Sequence, residues 1–442
     1  MTTLDIQEQG TVRTNSGDVP DAAVATNTNW NIFATNYDIT FQDRSSNNTS
    51  SRTPKTFFSG VLKNTSDAHL YDPRVIYDHD EDRFTILYLV IEVSNDDGYF
   101  VLSSSSSADP EDFWRQVRFD LVEDKWPDFP GLGIDDDYIY MTANLDRFNS
   151  NSENNILITV DKNGMYSSNS VKSSRNLNFA YDYDGDGNEL LKDVFPCHNY
   201  DVNNNKAFLI HARQSGGDSI LVIEVDDPLN TGATTYHEVT GAWNFSATPC
   251  EAEQPDDDQI GGIFPDIPSF SNRGIIPENG DNIHCVHTIG ADFDNDGDDE
   301  TAIRYYDIDI DNFSINDQQQ WGLNDGGYLC HPSIQYDEHD GWVVPYVRTD
   351  SDQNPTMGMA GQKVGDSKSY QVISSGESPF SNPYSEDANC PGTNAYRNDY
   401  GHYTAIAADA GTYSKFTTYG MATENSTNDN TWKMDYAEVK LK

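Results

Sequence analysis

The chain has 442 residues, 73 acidic against 27 basic, and a formal net charge of -46. That length accommodates two or three ordinary domains, or one large domain built of repeats. No basic footprint exists for phosphate, which excludes nucleic acid; 25 Tyr, 20 Phe and 7 Trp exclude an acidic disordered chain; and the longest apolar run, Phe84 to Val93, is about half of what a membrane-spanning helix needs.

Residues 1–65 stand apart from the rest. Met1 to Pro20 is polar and lacks the apolar centre of a secretory signal. Thr11 to Ser51 is rich in Asn, Thr, Ser and Asp, interrupted by Trp30-Asn-Ile-Phe33 and Tyr37-Asp-Ile-Thr-Phe41. Those two segments are expected either to add an outer strand that closes a ring or to form an arm docked on a neighbouring subunit.

From residue 66 onward one phrase recurs: Pro, three residues, an aromatic or apolar residue, then Asp. Its copies are Pro73 to Asp78, Pro130 to Asp135, Pro196 to Asp201 and Pro332 to Asp337. Weaker copies run from Pro265 to Phe270, without the Asp, and from Thr404 to Asp409, without the Pro; successive starts lie 57 to 72 residues apart. After each clear copy comes a polar turn and a β-rich run, such as Arg83 to Val90, Tyr138 to Thr142, Ala207 to His211, Trp342 to Tyr346 and Lys415 to Tyr419. Third strands follow at Tyr99 to Leu102, Ile156 to Val160 and Ile220 to Val225, and there is room for a fourth. Helical periodicity is almost absent. Four antiparallel strands repeated at near-constant spacing predict an all-β fold, a β-propeller of about six four-stranded blades over 66–442, with a partly irregular N-terminal segment. The Pro is placed at the start of an innermost strand, where no ladder bond is lost, and the Asp in the turn that ends it.

Two acidic loops match a calcium pattern. Asp182, Asp184, Asp186 and Asn188 surround Gly187, with Asp193 in the twelfth position; Asp292, Asp294, Asp296, Asp298 and Glu300 surround Gly297. Ca²⁺ takes about six to eight oxygens, alternate carboxylates wrap it, and glycine at the sixth position allows the sharp turn. The expected role of Ca²⁺ is structural. The five cysteines, Cys197, Cys250, Cys285, Cys330 and Cys390, are too widely spaced for a disulfide scaffold. Histidines flank three of them, but no CxxC pair completes a zinc pattern. Asn-x-Ser/Thr sequons occur at Asn48, Asn64, Asn244, Asn312 and Asn425 and suit an outside surface. No Gly-x-Ser-x-Gly elbow, glycine-rich phosphate loop, His-Glu-x-x-His helix or sialidase-type Asp box is present, and Arg74 is the only arginine early in a first strand. No catalytic residue is assigned, and the expectation is a non-enzymatic protein.

Asp72 to Asp78 with Arg83-Phe84 and Ser107 to Trp114, Trp126 to Gly133 with Tyr138 to Asn144, and Asn398 to Thr404 resemble segments of a family of large extracellular bacterial and archaeal β-propeller proteins. The resemblance implies a propeller and no chemistry. The dispersed acidity resembles that of haloarchaeal surfaces, since self-repulsion is screened when molar salt shortens the Debye length to about 3 Å. Together these features resemble a haloarchaeal virus surface protein: a capsid turret, spike or tail component at the virion surface. Its expected partners are other virion proteins, further copies of itself, and host surface glycan or S-layer, with no membrane insertion. The alternatives are a secreted haloarchaeal carbohydrate-active enzyme and a cell-surface adhesion propeller.

Overall fold

The computed structural model describes residues 1–16, 20–121, 124–148, 150–167, 169–183, 187, 189–199, 206–213, 216–246, 252–255, 258–261, 275–276, 282–293, 297, 299–337, 339, 341–378, 383–384, 397–399, 403–409, 415–424 and 431–442. Strand β1 (Leu4–Ser16) opens the chain. Blade I follows as β2 (Ala23–Thr26), β3 (Trp30–Ala34), β4 (Ile39–Asp43) and β5 (Thr49–Arg52), and a short helix α1 (Pro54–Phe57) leads out of it. Blade II is β6 (His69–Asp78), β7 (Arg83–Glu92), β8 (Asp97–Ser105) and β9 (Trp114–Asp120). Blade III is β10 (Lys125–Ile134), β11 (Tyr138–Arg147), β12 (Ser150–Asp161) and β13 (Ser173–Leu177), with α2 (Lys162–Tyr166) between the last two. A hairpin of β14 (Ala180–Tyr181) and β15 (Glu189–Leu190) precedes blade IV.

In blade IV the inner strand is split into β16 (Phe195–Pro196) and β17 (His198–Asn199), followed by β18 (Lys206–Ala212), β19 (Gly216–Asp226) and β20 (Ala233–Ser246). Next come β21 (Ala252–Gln254) and β22 (Asp258–Gly261), then blade V: β23 (Ile275–Ile276), β24 (Asn282–Ala291), β25 (Glu300–Asp309) and β26 (Ser314–Trp321). Blade VI has a split inner strand, β27 (Tyr328–Cys330) and β28 (Gln335–Tyr336), then β29 (Trp342–Asp350), β30 (Gln353–Gln362) and β31 (Ser369–Ser374). The strands β32 (Pro383–Tyr384) and β33 (Arg397–Asp399) join β21 and β22 in a small separate sheet. Blade VII is β34 (Ala405–Ala408), β35 (Lys415–Thr423) and β36 (Thr431–Leu441), and its outermost strand is β1, antiparallel to β36 from Leu4 opposite Leu441 to Ser16 opposite Thr431. The two ends of the chain therefore close one sheet.

The blades pack in a ring. β2 lies against both β6 and β34, β6 against β10, β10 against β16 and β17, β25 against β27, and β28 against β34; β17 pairs with β23 in parallel. The expected all-β propeller of about six four-stranded blades gains one more sheet, because residues 23–52 form a blade of their own. Trp30 to Phe33 and Tyr37 to Phe41 belong to that blade, and the closing strand is the more polar Leu4–Ser16.

Each seam between blades has its own apolar core. In β7, Phe84, Ile86, Tyr88 and Val90 face blade I while Leu87 and Leu89 face blade III. In β18, Leu209 packs toward blade III and Ile210 toward blade V; in β29, Val344 faces blade V and Val343 faces blade VII. At the last seam Phe33 and Val24 meet Tyr419 and Trp432. Successive side chains of a strand point to opposite faces, and both faces are covered, so these strands read as continuous apolar runs.

Described copies of the phrase occupy the innermost strands. Pro73 and Pro130 do not start theirs. They sit at register shifts, between Tyr71 and Arg74 in β6 and between Asp128 and Gly131 in β10, where a bulge leaves the residue without a ladder partner. The copy at Pro265 lies outside the described residues, as do Tyr200 and Asp201 of the copy at Pro196. Three closing Asp residues turn the chain into the second strand: Asp78 Oδ1 accepts from the N–H of Asp80 (3.2 Å) and Glu81 (3.3 Å), Asp135 Oδ1 from Asp137 (2.9 Å) and Tyr138 (2.7 Å), and Asp337 Oδ1 from His339 (2.9 Å) and Gly341 (2.7 Å). The same residues hold blades together. Asp78 Oδ2 meets Lys162 Nζ of blade III at 2.7 Å, and that ammonium also donates to the Asp135 carbonyl at 2.7 Å. At the closing seam Asp409 Oδ2 of blade VII meets Arg44 Nη1 of blade I at 2.6 Å, and Arg44 Nε meets Glu438 Oε1 at 2.7 Å.

Candidate functional site

The entrances of the innermost strands form one mouth on the axis. The residue that leads into each described entrance in blades I, II, III, IV and VI has a left-handed backbone: Asp21 (φ 41°), Asp72 (49°), Phe129 (49°), Asp193 (53°) and His331 (53°). Asp72, Phe129 and His331 each precede the proline of the phrase. A side chain at positive φ costs energy, and proline narrows the choices of its predecessor further, so this ring concentrates backbone strain of the kind that clusters at functional sites. Asp21, Asp72, Asp193 and His331 are buried.

Polar groups converge there from four blades. Tyr403, just before β34, directs its hydroxyl at Asp72 Oδ2 (3.4 Å). Asn36, in the turn between β3 and β4, accepts from the Asp72 N–H (2.8 Å) and donates to Asp21 Oδ2 (2.8 Å). The Arg74 guanidinium lies 3.7 Å from the Tyr403 ring centroid, and Phe129 meets that ring edge-on at 6.5 Å. Arg74 is fully buried: Nε donates to the Pro130 carbonyl and Nη1 to the Pro73 carbonyl, both at 2.8 Å, while Nη2 has no hydrogen-bond partner among the described residues. Burial, with the negative charges of Asp72, Asp21 and Asp128, pushes the Tyr403 phenol well above its ordinary range; Arg74 works against that shift. The phenol is therefore a neutral donor at neutral pH. Farther around the mouth, Asp193 Oδ1 accepts from Asn144 Nδ2 (2.6 Å), and its N–H donates to Asn144 Oδ1 (3.0 Å) as that of Asp72 does to Asn36 Oδ1. Carboxylates, a neutral phenol and an arginine at one point can accept and donate hydrogen bonds to a hydroxylated ligand and pass a proton to it.

The sequence alone assigned no catalytic residue: Arg74 was set aside for want of further arginines, and Asp21, Asp72, Asp128 and Tyr403 were missed. The residue immediately before each phrase was the available signal for Asp72 and Tyr403, and it does not reach Asp21 or Asp128.

The two acidic loops are the tips of hairpins, between β14 and β15 and between β24 and β25. In both, the first Asp bonds the N–H of the sixth-position glycine: Asp182 Oδ1 with Gly187 at 3.3 Å and Asp292 Oδ2 with Gly297 at 3.2 Å. Gly187 (φ 124°) and Gly297 (φ 104°) take a conformation that other residues rarely adopt. Asp184, Asp186, Asn188, Asp294, Asp296 and Asp298 lie outside the described residues. Asp193 is engaged with Asn144 at the mouth, and the buried Glu300 accepts from the Phe293 N–H (3.4 Å). Among the described residues no cluster of three or more His, Cys, Asp or Glu is placed to hold a metal; Cys197, Cys285 and Cys330 are buried.

No protein-family model and no curated protein matches the chain. Solved structures do. The chain resembles a polysaccharide lyase, an ulvan lyase of family PL25, with 10% identity over 97% of this chain and 95% of that one, at a TM-score of 0.48. It resembles the sialidase of Trypanosoma rangeli with 9% identity over 92% of this chain and 57% of that one, at 0.44. It resembles Drosophila Semaphorin 1b with 8% identity over 98% and 88%, at 0.41. The chain thus spans less than two thirds of the sialidase it matches, and the likeness carries no residue-by-residue correspondence. It does correct one expectation. The solved structures that the chain resembles include sialidases, arabinanases and an ulvan lyase, so the assignment as a non-enzymatic protein does not stand.

Proposed function

We propose that the chain is a carbohydrate-active propeller whose working centre is the axial mouth. The observation that carries this reading is the convergence of Asp21, Asp72 and Asp128 with Tyr403 and Arg74 from the innermost strands of blades I, II, III and VII. Carboxylates accept hydrogen bonds from sugar hydroxyls. The protonated Tyr403 can donate to a glycosidic oxygen while a neighbouring carboxylate takes up a proton, which is the division of labour that general acid–base cleavage requires. The net charge of -46 supports a site of action in concentrated salt.

The test is a polysaccharide panel in molar KCl, read for new reducing ends and for the ultraviolet absorbance of unsaturated products. The wild-type chain is expected to release product from one class of polymer. Asp72→Asn and Tyr403→Phe should each lower turnover by about 10²–10⁴-fold, the range for losing a general acid or base. Neither product nor binding across the panel, or undiminished turnover in both variants, overturns the reading.

A further inference from the structure

A second hollow lies at the rim, on the seam between blades VI and VII. It has a volume of about 430 Å³ and is lined by Gln9, Gly10 and Thr11 of β1, by Ile373 to Ser375 and Glu377 at the end of β31, and by Lys433, Asp435 and Tyr436 of β36. That volume falls in the range of small-molecule sites, about 300–1,000 Å³. The stretch of β1 that forms its floor lies between two register shifts, Ile6/Glu8 and Thr11/Arg13, and bulges of this kind re-aim side chains beside sites. Gly10 is required there: a Cβ would stand 2.9 Å from Cε1 of Tyr436.

The hydrogen bonds fix what the hollow presents. Asp435 is buried, and its two oxygens accept from Thr11 Oγ1 (2.6 Å) and from Ser374 Oγ. Each hydroxyl has spent its one proton, so each turns only acceptor lone pairs to the hollow. Glu377 adds a further acceptor. Lys433, 2.9 Å from Glu377 and 3.8 Å from Asp435, is the one cation in the lining. Two carboxylates against one ammonium repel an anionic ligand, whereas a lining rich in acceptors suits a ligand with several O–H donors. The hollow also sits apart from the mouth: β34 and β1 are the innermost and outermost strands of blade VII, three strand spacings or about 14 Å apart.

We propose that this hollow is a rim subsite for a neutral sugar unit of a polymer whose chain extends from the axial mouth. The inference rests on the carbohydrate reading of the mouth. The experiment follows turnover of neutral glucan, arabinan and galactan, as polymers and as short oligosaccharides, by wild-type chain and by Ser375→Trp, which fills the hollow from an exposed position; Glu377→Gln is the milder second variant. Both variants are expected to raise KM for polymer at least tenfold with kcat unchanged and to leave short oligosaccharides unaffected. Turnover of polymer with KM unmoved in both variants refutes the rim subsite while leaving the mouth reading intact. Equal losses on short and long substrates also refute it, since that pattern reports damage to the fold. Turnover confined to anionic polymer contradicts the neutral-sugar assignment, and no turnover or binding of any glycan removes the mouth reading and the subsite with it.

Discussion

Lys162→Met isolates the contact that ties blade II to blade III. The Lys162 side chain is 4% exposed and that of Asp78 3%, with Nζ to Oδ2 at 2.7 Å, and the ammonium also holds the Asp135 carbonyl. Methionine preserves most of the volume and removes the charge. Asp78 keeps the Tyr166 hydroxyl at 2.9 Å and its two turn N–H groups, so the loss is an uncompensated buried carboxylate rather than an unfolded turn. Removing one partner of a buried pair costs about 3–5 kcal/mol. At about 2.1 cal/mol/K per residue, the unfolding entropy of a chain this long is roughly 0.9 kcal/mol/K, which translates that cost into a fall in Tm of about 3–5 °C. Thermal unfolding in molar KCl measures it, and the size should not change between 1 and 3 M salt because the pair is shielded from the ions. Asp78→Asn combined with Lys162→Met should cost less than the sum of the single changes, since no lone charge remains. A Tm shift below 1 °C in Lys162→Met, or strict additivity in the double variant, would refute the clamp.

Acid should unfold the protein early. Burial lowers the pKa of His79 and His211 to about 4 and of His284 and His287 to about 3, against an unfolded value near 6.5. These residues are neutral in the folded chain and take up protons on unfolding, so their stabilisation is full above pH 6.5 and is lost as pH falls toward 4. Asp135, raised to about 6 mainly by burial, acts in the opposite sense with one proton. A net uptake of about three protons removes roughly 3–4 kcal/mol per pH unit between 6 and 4; a Tm that is flat across that interval contradicts the assignment. Salt should act in the direction the charge demands: Tm rises from 0.1 M to 3 M KCl as the Debye length shrinks from about 10 Å to below 3 Å, and full stability in dilute buffer refutes the screening argument. If the two hairpin tips hold Ca²⁺, chelation in high salt lowers Tm by about 3 °C per site, from about 2.7 kcal/mol for an ion at a hundred times its Kd; an unmoved curve counts against both loops.

What a short stretch of sequence controls was legible. The Asp at the end of the phrase makes its turn by bonding N–H groups two to four residues on. Strands buried on both faces carry apolar side chains at most positions, so β7, β18 and β29 were visible as runs such as Arg83 to Val90. Blade I and the closing strand were not. Ala23–Thr26 lacks the phrase, and Leu4–Ser16 is an outermost strand with only one side to cover, so its composition is polar and it reads as a tail. Its partner is β36, at the far end of the chain, and only closure of the ring brings them together. The mouth has the same origin: Asp72 and Tyr403 each precede a copy of the phrase but Asp21 and Asp128 do not, and the four meet because their innermost strands enter at the same end of one axis. Hydrogen bonds within a turn and the alternation of faces are short-range and written locally. The number of blades, the strand that seals them and the groups that face one another across the axis follow from packing all seven seams at once.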